Sequence, residues 1–198
     1  MLLPALFFGP INYFALIARS EELIFDSHEH FKKQTYRNRC EVLGPNGTFK
    51  MLLPVRRRNH SPMVEVTIAE EEKWRRLHLK TLGSFYRSSS YFEFYEHRID
   101  EFYARKFENL FELNMASTAL ACELLDIPFN FKTSTEFIPY AEDDLRLKIH
   151  PKSSSLTTQS SYHQVFSDRF EFQPNLSVLD LLFNRGPQAR EYLLGLKL

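Results

Sequence analysis

LLPALFFGPINYFALIARSEELIFD, residues 2–26, is the stretch from which the fold is predicted. Its first apolar run, residues 2–8, suits a buried strand, and Gly9-Pro10 then turns the chain. A helix follows with Asn12 as its cap, and residues 22–26 form a second short strand. This order predicts a βαβ unit in a parallel sheet, with ligands bound beyond the carboxyl ends of the strands. Gly9–Asn12 and Asp26–Lys33 are both expected on that rim.

The rest of the chain adds a hairpin and helices to this unit. Residues 36–43 and 48–55 flank GPNG, whose residues suit a hairpin turn. Further strands are expected at 63–68, 129–138 and 143–152, and helices from Ala69, after the serine-rich break at 88–90, over Asn109–Asp126 and, capped at Ser177, near the end of the chain. The predicted fold class is α/β: a small, mainly parallel sheet with a β-hairpin and a helical layer, in a single domain over residues 1–198.

Composition narrows the class of protein. The 198 residues carry 25 basic and 25 acidic side chains, so a net charge of zero gives no overall attraction to nucleic acid or to an anionic membrane. None of the six glycines are spaced as G-x-G, which excludes a Rossmann fingerprint and a P-loop. Two cysteines, and an apolar N-terminus interrupted by Pro4 and Pro10, predict a cytoplasmic protein without a signal peptide or an integral membrane segment.

The segment DSHEHFKKQTYRNRC, residues 26–40, concentrates side chains that form directional hydrogen bonds. A solvated edge strand usually alternates lysine with glutamate or threonine, whereas this segment holds glutamine, tyrosine, asparagine and two arginines. Arg37 and Arg39 are expected on the same face of a strand, where they would suit a phosphate or a carboxylate. The alternative is an ion-paired surface strand.

Two histidines in this segment raise the question of metal binding. His28-x-His30 supplies two ligands, and no cluster of cysteines or histidines nearby in the sequence completes a site, so no metal is expected. A simpler hypothesis makes His28 a general base that Asp26 orients.

A second polar run, DDLRLKIHPKSSS at residues 143–155, alternates charged with apolar side chains. The pattern is typical of a half-exposed edge strand, and the alternative adds its charges to an anion-binding pocket. The Ser/Thr-rich residues 153–163 are either a mobile loop or a lid over a ligand. Trp74 and His78, one helical turn apart, are expected to pack together.

Several of these motifs together resemble the WbqC-like protein family. They are YFALIARSEELIFDSHEHFKKQTYRNRCEV at residues 13–42, the Trp74–His78 helix, SSSYFEFY at 88–95, DLRLKIHPK at 144–152 and NLSVLDLLFNRGP at 175–187. The resemblance covers about residues 3–196. It implies a bacterial cytoplasmic protein, with some relatives encoded among surface-polysaccharide (O-antigen) functions, and it implies sugar modification by acyl or aminoacyl transfer to an amino sugar.

The first functional hypothesis is a transferase that modifies a nucleotide-linked or carrier-linked sugar. In it, Lys33, Arg37 and Arg39 bind the anionic donor or carrier, and Gln34 and Asn38 orient the acceptor. The expected substrate-binding set is completed by Tyr36, Asp144, Arg146 and His150. The sequence identifies no cofactor.

A second hypothesis belongs to another class, a non-catalytic binding or assembly protein of the same pathway. The 19 phenylalanines and the apolar C-terminal helices would then form a homodimer or a partner surface. Nucleic-acid binding is not expected, because the charge is balanced and Arg56–Arg58 is a short basic run.

Overall fold

The computed structural model describes residues 1–71, 73–153 and 155–197. The strands are β1 (Leu2–Leu3), β2 (Leu23–Phe25), β3 (Arg39–Gly44), β4 (Gly47–Leu52), β5 (Val55–Arg56), β6 (Thr67–Ile68) and β7 (Phe131–Thr133). The helices are α1 (Ile11–Ile17), α2 (Trp74–Tyr86), α3 (Phe92–Ala104), α4 (Leu110–Leu124), α5 (Val178–Arg185) and α6 (Ala189–Gly195). Short 3-10 turns occupy Met63–Glu65 and Gly186–Gln188. The predicted α/β class is confirmed.

Strands β1, β2 and β7 form a three-stranded sheet in the order β1-β2-β7, and both of its pairings are parallel. Strand β1, helix α1 and strand β2 form the βαβ unit that residues 2–26 predict. The first strand is shorter than predicted, because Pro4 has no N–H to continue a ladder and Phe8 takes a positive φ of 37°.

The segment around Asp144 extends this sheet on the other side of β1. Asp144 forms a parallel bridge with Leu2, and the backbone N–H groups of Leu2 and Leu145 donate to the carbonyls of Asp143 and Leu2. All of these chains run in the same direction, so their carboxyl ends meet at one edge of the sheet. That edge brings together the residues that follow β2, those that follow β7, and Arg146.

The antiparallel hairpin of β3 and β4 contacts helix α5 through β3. Cys40 and Val42 turn one face of the hairpin into the core, while Arg39 and Glu41 lie on the other face. Lys50 is the partner of Glu41 across the hairpin, and Leu52 is the partner of Arg39. The predicted hairpin is confirmed, but its first strand begins at Arg39 rather than at residue 36.

Helices α4 and α5 hold the N-terminal segment in the core. The Asn114 amide of α4 donates to the carbonyls of Ala5 and Arg37, at 2.9 and 2.8 Å. Ser177 caps α5 as predicted, since its hydroxyl accepts the N–H of Leu179 and also donates to the carbonyl of Phe8. These contacts fix the chain on both sides of the βαβ unit.

Several local predictions are wrong. Residues 143–152 do not form a strand: beyond the bridge at Asp144 they fold into turns, with Arg146 and Ile149 buried and Leu147 63% exposed. Asn12 lies inside α1 instead of capping it, because α1 begins at Ile11 after an extended Pro10. Gly9–Asn12 are buried and form hydrogen bonds with residues 175–178.

The Ser/Thr-rich stretch is anchored at several points. Thr157 is buried, Thr158 bridges Lys197, and the Tyr162 hydroxyl donates to Asp180 at 2.6 Å. These contacts argue against a freely mobile loop over residues 155–163, and Ser154 lies outside the described residues. Within the parts of the chain that the structure describes, no helix is long and apolar enough to cross a membrane.

Candidate functional site

A buried ion pair between Asp26 and Arg146 lies at the carboxyl edge of the sheet. Asp26 follows β2 directly, and its Oδ2 accepts Arg146 Nη1 at 2.5 Å, with both side chains less than a tenth exposed. The other donors to the Asp26 carboxylate are the backbone N–H groups of His28 and Ile138 and the hydroxyl of Ser134. The carboxylate therefore ties the ends of β2 and β7 to Arg146.

The Asp144 carboxylate also binds the guanidinium of Arg146. Arg146 Nη2 and Nε donate to its carboxylate at 2.7 and 3.1 Å, and Nη2 also donates to the Ile138 carbonyl. Burial alone would raise the pKa of Asp144, but the hydrogen bonds and charge of Arg146 outweigh it and hold the pKa below its ordinary value. Asp144 is therefore a carboxylate at neutral pH.

A second buried ion pair lies next to the first. Arg37 donates two hydrogen bonds to Glu29, from Nε to Oε1 at 3.0 Å and from Nη2 to Oε2 at 2.6 Å. Both side chains are at most 5% exposed. Burial raises the pKa of Glu29, and the charge of Arg37 acts in the opposite direction. Arg37 Nη2 also donates to the carbonyl of Arg146 at 3.2 Å, which joins the two ion pairs.

One member of each ion pair, Arg146 and Glu29, lines a cavity of about 260 Å³, which we call the sheet-end pocket. It is lined by Glu29, His30, Lys32, Phe137, Pro139, Asp144, Arg146 and Leu147. It lies beyond the carboxyl ends of the parallel strands, where the sequence predicts that ligands bind.

Rings form one wall of the sheet-end pocket. The His30 and Phe137 rings are nearly parallel, with centroids 5.7 Å apart, and the Arg146 guanidinium lies 5.5 Å from the Phe137 centroid. The His60 ring, from the loop after β5, lies edge-on to His30 at 5.9 Å. This wall offers apolar ring surface beside an ionisable imidazole.

A second cavity, of about 520 Å³, lies against the outer face of the hairpin, and we call it the hairpin pocket. Its lining residues are Gln34, Asn38, Arg39, Glu41, Lys50, Leu52, Pro151 and Lys152. Each of the two pockets is thus lined by residues of both polar segments, 26–40 and 143–155. The pockets are neighbours, because Lys32 of one and Gln34 of the other are two residues apart, at most about 7 Å along the chain.

The structure does not place His28, the predicted general base, as the hypothesis requires. His28 lines neither pocket, and its Nδ1 lies 2.9 Å from the hydroxyl of Ser27. Asp26 accepts the backbone N–H of His28 rather than a ring N–H. Asp26 therefore does not orient the imidazole, because both of its oxygens serve the sheet edge and Arg146.

Arg37 and Arg39 do not share a strand face as predicted. Arg37 precedes β3 and turns inward to Glu29, whereas Arg39 begins β3 and faces the hairpin pocket. Of the other predicted ligand contacts, Gln34 and Asn38 line the hairpin pocket, and Asp144 and Arg146 line the sheet-end pocket. Tyr36 is buried, Lys33 is exposed outside both pockets, and His150 is half-buried. Their roles remain predictions.

Sequence reasoning missed several lining residues. Glu29 and Lys32 stand inside the quoted segment 26–40, and His30 was weighed there only as a metal ligand. Lys152 stands inside the run 143–155, whose charges the sequence analysis adds to an anion-binding pocket as one alternative. Phe137, Leu147 and Lys50 carry no local signal, since only folding brings them to the pockets. Among the described residues, no three His, Cys, Asp or Glu side chains converge as metal ligands would.

Comparisons with known proteins cover most of this chain. The WbqC-like protein family matches residues 5–155, a range that includes both polar segments. The chain is also similar to the uncharacterized protein Rv1507c of Mycobacterium tuberculosis, with 25% identity over 215 residues that cover 92% of this chain and 91% of the relative. No solved structure matches the chain.

Proposed function

The chain belongs to the WbqC-like protein family, and we propose that it is a cytoplasmic transferase that modifies a nucleotide-linked or carrier-linked sugar for bacterial surface polysaccharide (O-antigen). The observation that carries the proposal is the sheet-end pocket, a polar cavity beyond the carboxyl ends of parallel strands with a ring wall and ionisable groups. The resemblance of the sequence motifs to the family supports the sugar and the pathway.

The sheet-end pocket suits a sugar ring. Carboxylate and amine groups bind hydroxyls directionally, and Asp144 and Lys32 supply them at the wall. Ring faces such as that of Phe137 pack against the apolar C–H face of a sugar. Asp144 and Arg146 hold each other in place, so the polar groups are fixed before a ligand arrives.

For acyl or aminoacyl transfer, the pocket needs a base beside the acceptor. The acceptor amine or hydroxyl forms a new bond to the acyl carbon, the bond from that carbon to its carrier breaks, and the acceptor proton passes through the base to the leaving group. We assign this base to His30 rather than to His28, because His30 lines the pocket and a base must reach the proton that it removes.

Ligand binding and surface glycans together test the proposal. Sugar nucleotides and carrier-linked sugars are screened by thermal shift against the purified protein, since a ligand of the native state raises the melting temperature. Lys32→Gln should reduce the shift, whereas Lys80→Gln, which removes an exposed charge outside both pockets, should leave it unchanged.

The role of the base is tested in the native host. Replacement of the chain by His30→Gln should remove a modification from the surface glycan, seen as a loss of its mass increment, while the matched His28→Gln should keep it. A modification that survives His30→Gln and disappears with His28→Gln would return the base to His28. Unchanged glycans in a deletion strain, together with no shift from any sugar ligand, would refute the transferase.

The second candidate, a non-catalytic assembly protein, is favoured by one observation. Leu77 of α2 and Phe94 of α3 are 59% and 77% exposed on two helices that pack against each other. A solution mass twice that of the chain, returning to one chain in Phe94→Ser, would support assembly. A monomer at high concentration would count against it.

A further inference from the structure

The hairpin pocket carries an excess of positive charge on one rigid face. Arg39, Lys50 and Lys152 line it against one carboxylate, that of Glu41. Arg39 and Glu41 alternate with buried residues on β3, and Lys50 stands opposite Glu41 on β4, so their backbone positions are fixed by the hairpin ladder. Lys152 faces them from the turn after Pro151.

These cations are poorly neutralised inside the protein. The contact of Arg39 with Glu41 is 3.4 Å long, and its buried Nε has no hydrogen-bond partner among the described residues. In the same parts of the chain, neither Lys50 nor Lys152 lies within 4.0 Å of a carboxylate oxygen. This arrangement contrasts with Arg37 and Arg146, whose charges are matched by buried carboxylates.

His150 lies near the same positive charges. Burial lowers its pKa, and the charges of Arg39, Lys152, Arg37 and Lys32 lower it further. Its Nδ1 accepts the backbone N–H of Lys152 at 3.1 Å, so the neutral ring carries its proton on Nε2. His150 therefore adds a neutral donor near the cations.

We infer that the hairpin pocket binds a phosphate or diphosphate group, through Arg39, Lys50 and Lys152. Its volume of about 520 Å³ lies within the range of small-molecule sites, roughly 300–1,000 Å³. The sheet-end pocket begins two residues away at Lys32, so a sugar diphosphate spans both, with its phosphates on the hairpin and its sugar at the sheet end. That second statement rests on the proposed function, whereas the phosphate site does not.

Calorimetry with inorganic pyrophosphate at low salt tests the site. Lys50→Gln and Lys152→Gln should each weaken binding about tenfold, since each removes a charge-assisted contact. The controls Lys80→Gln and Lys106→Gln remove exposed charges outside both pockets and should change affinity by less than about twofold. Equal weakening by all four variants would mean that pyrophosphate meets only the overall charge, and it would overturn the inference.

A measurement on the unmutated protein covers the case in which a variant misfolds. Pyrophosphate should shift the backbone amide resonances of Arg39–Glu41, Lys50–Leu52 and Lys152 in nuclear magnetic resonance spectra. Shifts confined to the basic loop Arg56–Arg58 would overturn the site. The loop is a fair competitor, because it is also basic and lies outside the hairpin pocket.

Two further probes separate the sources of the phosphate and the two proposals. Uridine diphosphate and farnesyl diphosphate share the diphosphate, and the tighter of the two identifies a nucleotide or a lipid carrier as the source. Lysine-dependent binding of pyrophosphate, with no effect of sugar ligands on melting or on glycans, would keep the phosphate site and refute the transferase. Sugar-nucleotide binding that depends on Lys32 but not on Lys50 or Lys152 would do the reverse.

Discussion

Replacing Arg37 by methionine should cost far more than the loss of an ordinary charge. Arg37 and Glu29 are at most 5% exposed and share two hydrogen bonds of 3.0 and 2.6 Å. Methionine fills much of the space of the side chain but leaves the Glu29 carboxylate buried without its counter-charge. Breaking a buried pair from one side costs about 3–5 kcal/mol, which lowers the melting temperature by about 6–20 °C in a chain of this length.

The double variant Glu29→Gln/Arg37→Met isolates the pair from the packing. It removes both charges, so it should recover at least about 2 kcal/mol of the loss in Arg37→Met. Urea unfolding followed by the fluorescence of Trp74, the one tryptophan of the chain and a buried one, measures each variant. Arg56→Met is the control, because the ion pair of Arg56 with Glu71 is exposed and should contribute less than about 1 kcal/mol to the stability.

The loss should depend on pH in a defined direction. Burial already raises the pKa of Glu29, and removal of Arg37 raises it further, so the folded variant binds a proton more readily than the unfolded chain. Its stability therefore falls as pH rises from the unfolded value, about 4.3, through the raised one. The deficit should be smaller at pH 4.5 than at pH 7. A double variant no more stable than Arg37→Met, or a deficit unchanged with pH, would refute the ion-pair reasoning.

Three other predictions concern parts of the core. Burial lowers the pKa of His78 to about 4, so between pH 6.5 and pH 4 the unfolded chain binds a proton that the native state does not bind. The free energy of unfolding should therefore fall by up to about 3 kcal/mol as pH drops from 6.5 to 4. In urea unfolding, His78→Gln should not show this loss. Burial raises the pKa of Asp180, so its contribution falls as pH rises above about 3.9, and Asp180→Asn should flatten that part of a melting-temperature profile. Gly186→Ala should destabilise by about 1–3 kcal/mol, because φ is 53° and a Cβ would overlap the Tyr91 ring, whereas Gly195→Ala, with open space around it, should cost little by the same unfolding assay.

The parts of the fold that were predictable depend on local patterns. The βαβ unit follows from short apolar runs separated by a turn and an amphipathic helix, and the hairpin follows from GPNG between strand-like runs. Ser177 was recognisable as a cap because a cap uses its own side chain on the N–H two residues later. Each of these features is decided within a few residues.

The segment at 143–152 shows how a local pattern misleads. Its alternation of charged and apolar residues predicts a strand, yet the buried residues are Arg146 and Ile149, three apart as in a helical turn. The backbone N–H groups of Lys148 and Ile149 both donate hydrogen bonds to the carbonyl of Leu145. Arg146 overrides the alternation, because it is drawn into the core by Asp26, a residue 120 positions earlier.

That long-range pairing also decides which cations remain for a ligand. From sequence, Arg37, Arg39 and Arg146 looked alike as anion contacts, because all three are arginines in polar segments. In the folded protein, Arg37 and Arg146 form ion pairs with buried carboxylates, so their positive charges are neutralised before any ligand binds. Arg39 keeps a single long contact, and β4 and the turn after Pro151 add two lysines beside it. A bound anion is therefore expected at the hairpin, while the matched pairs fix the shape of the neighbouring pocket.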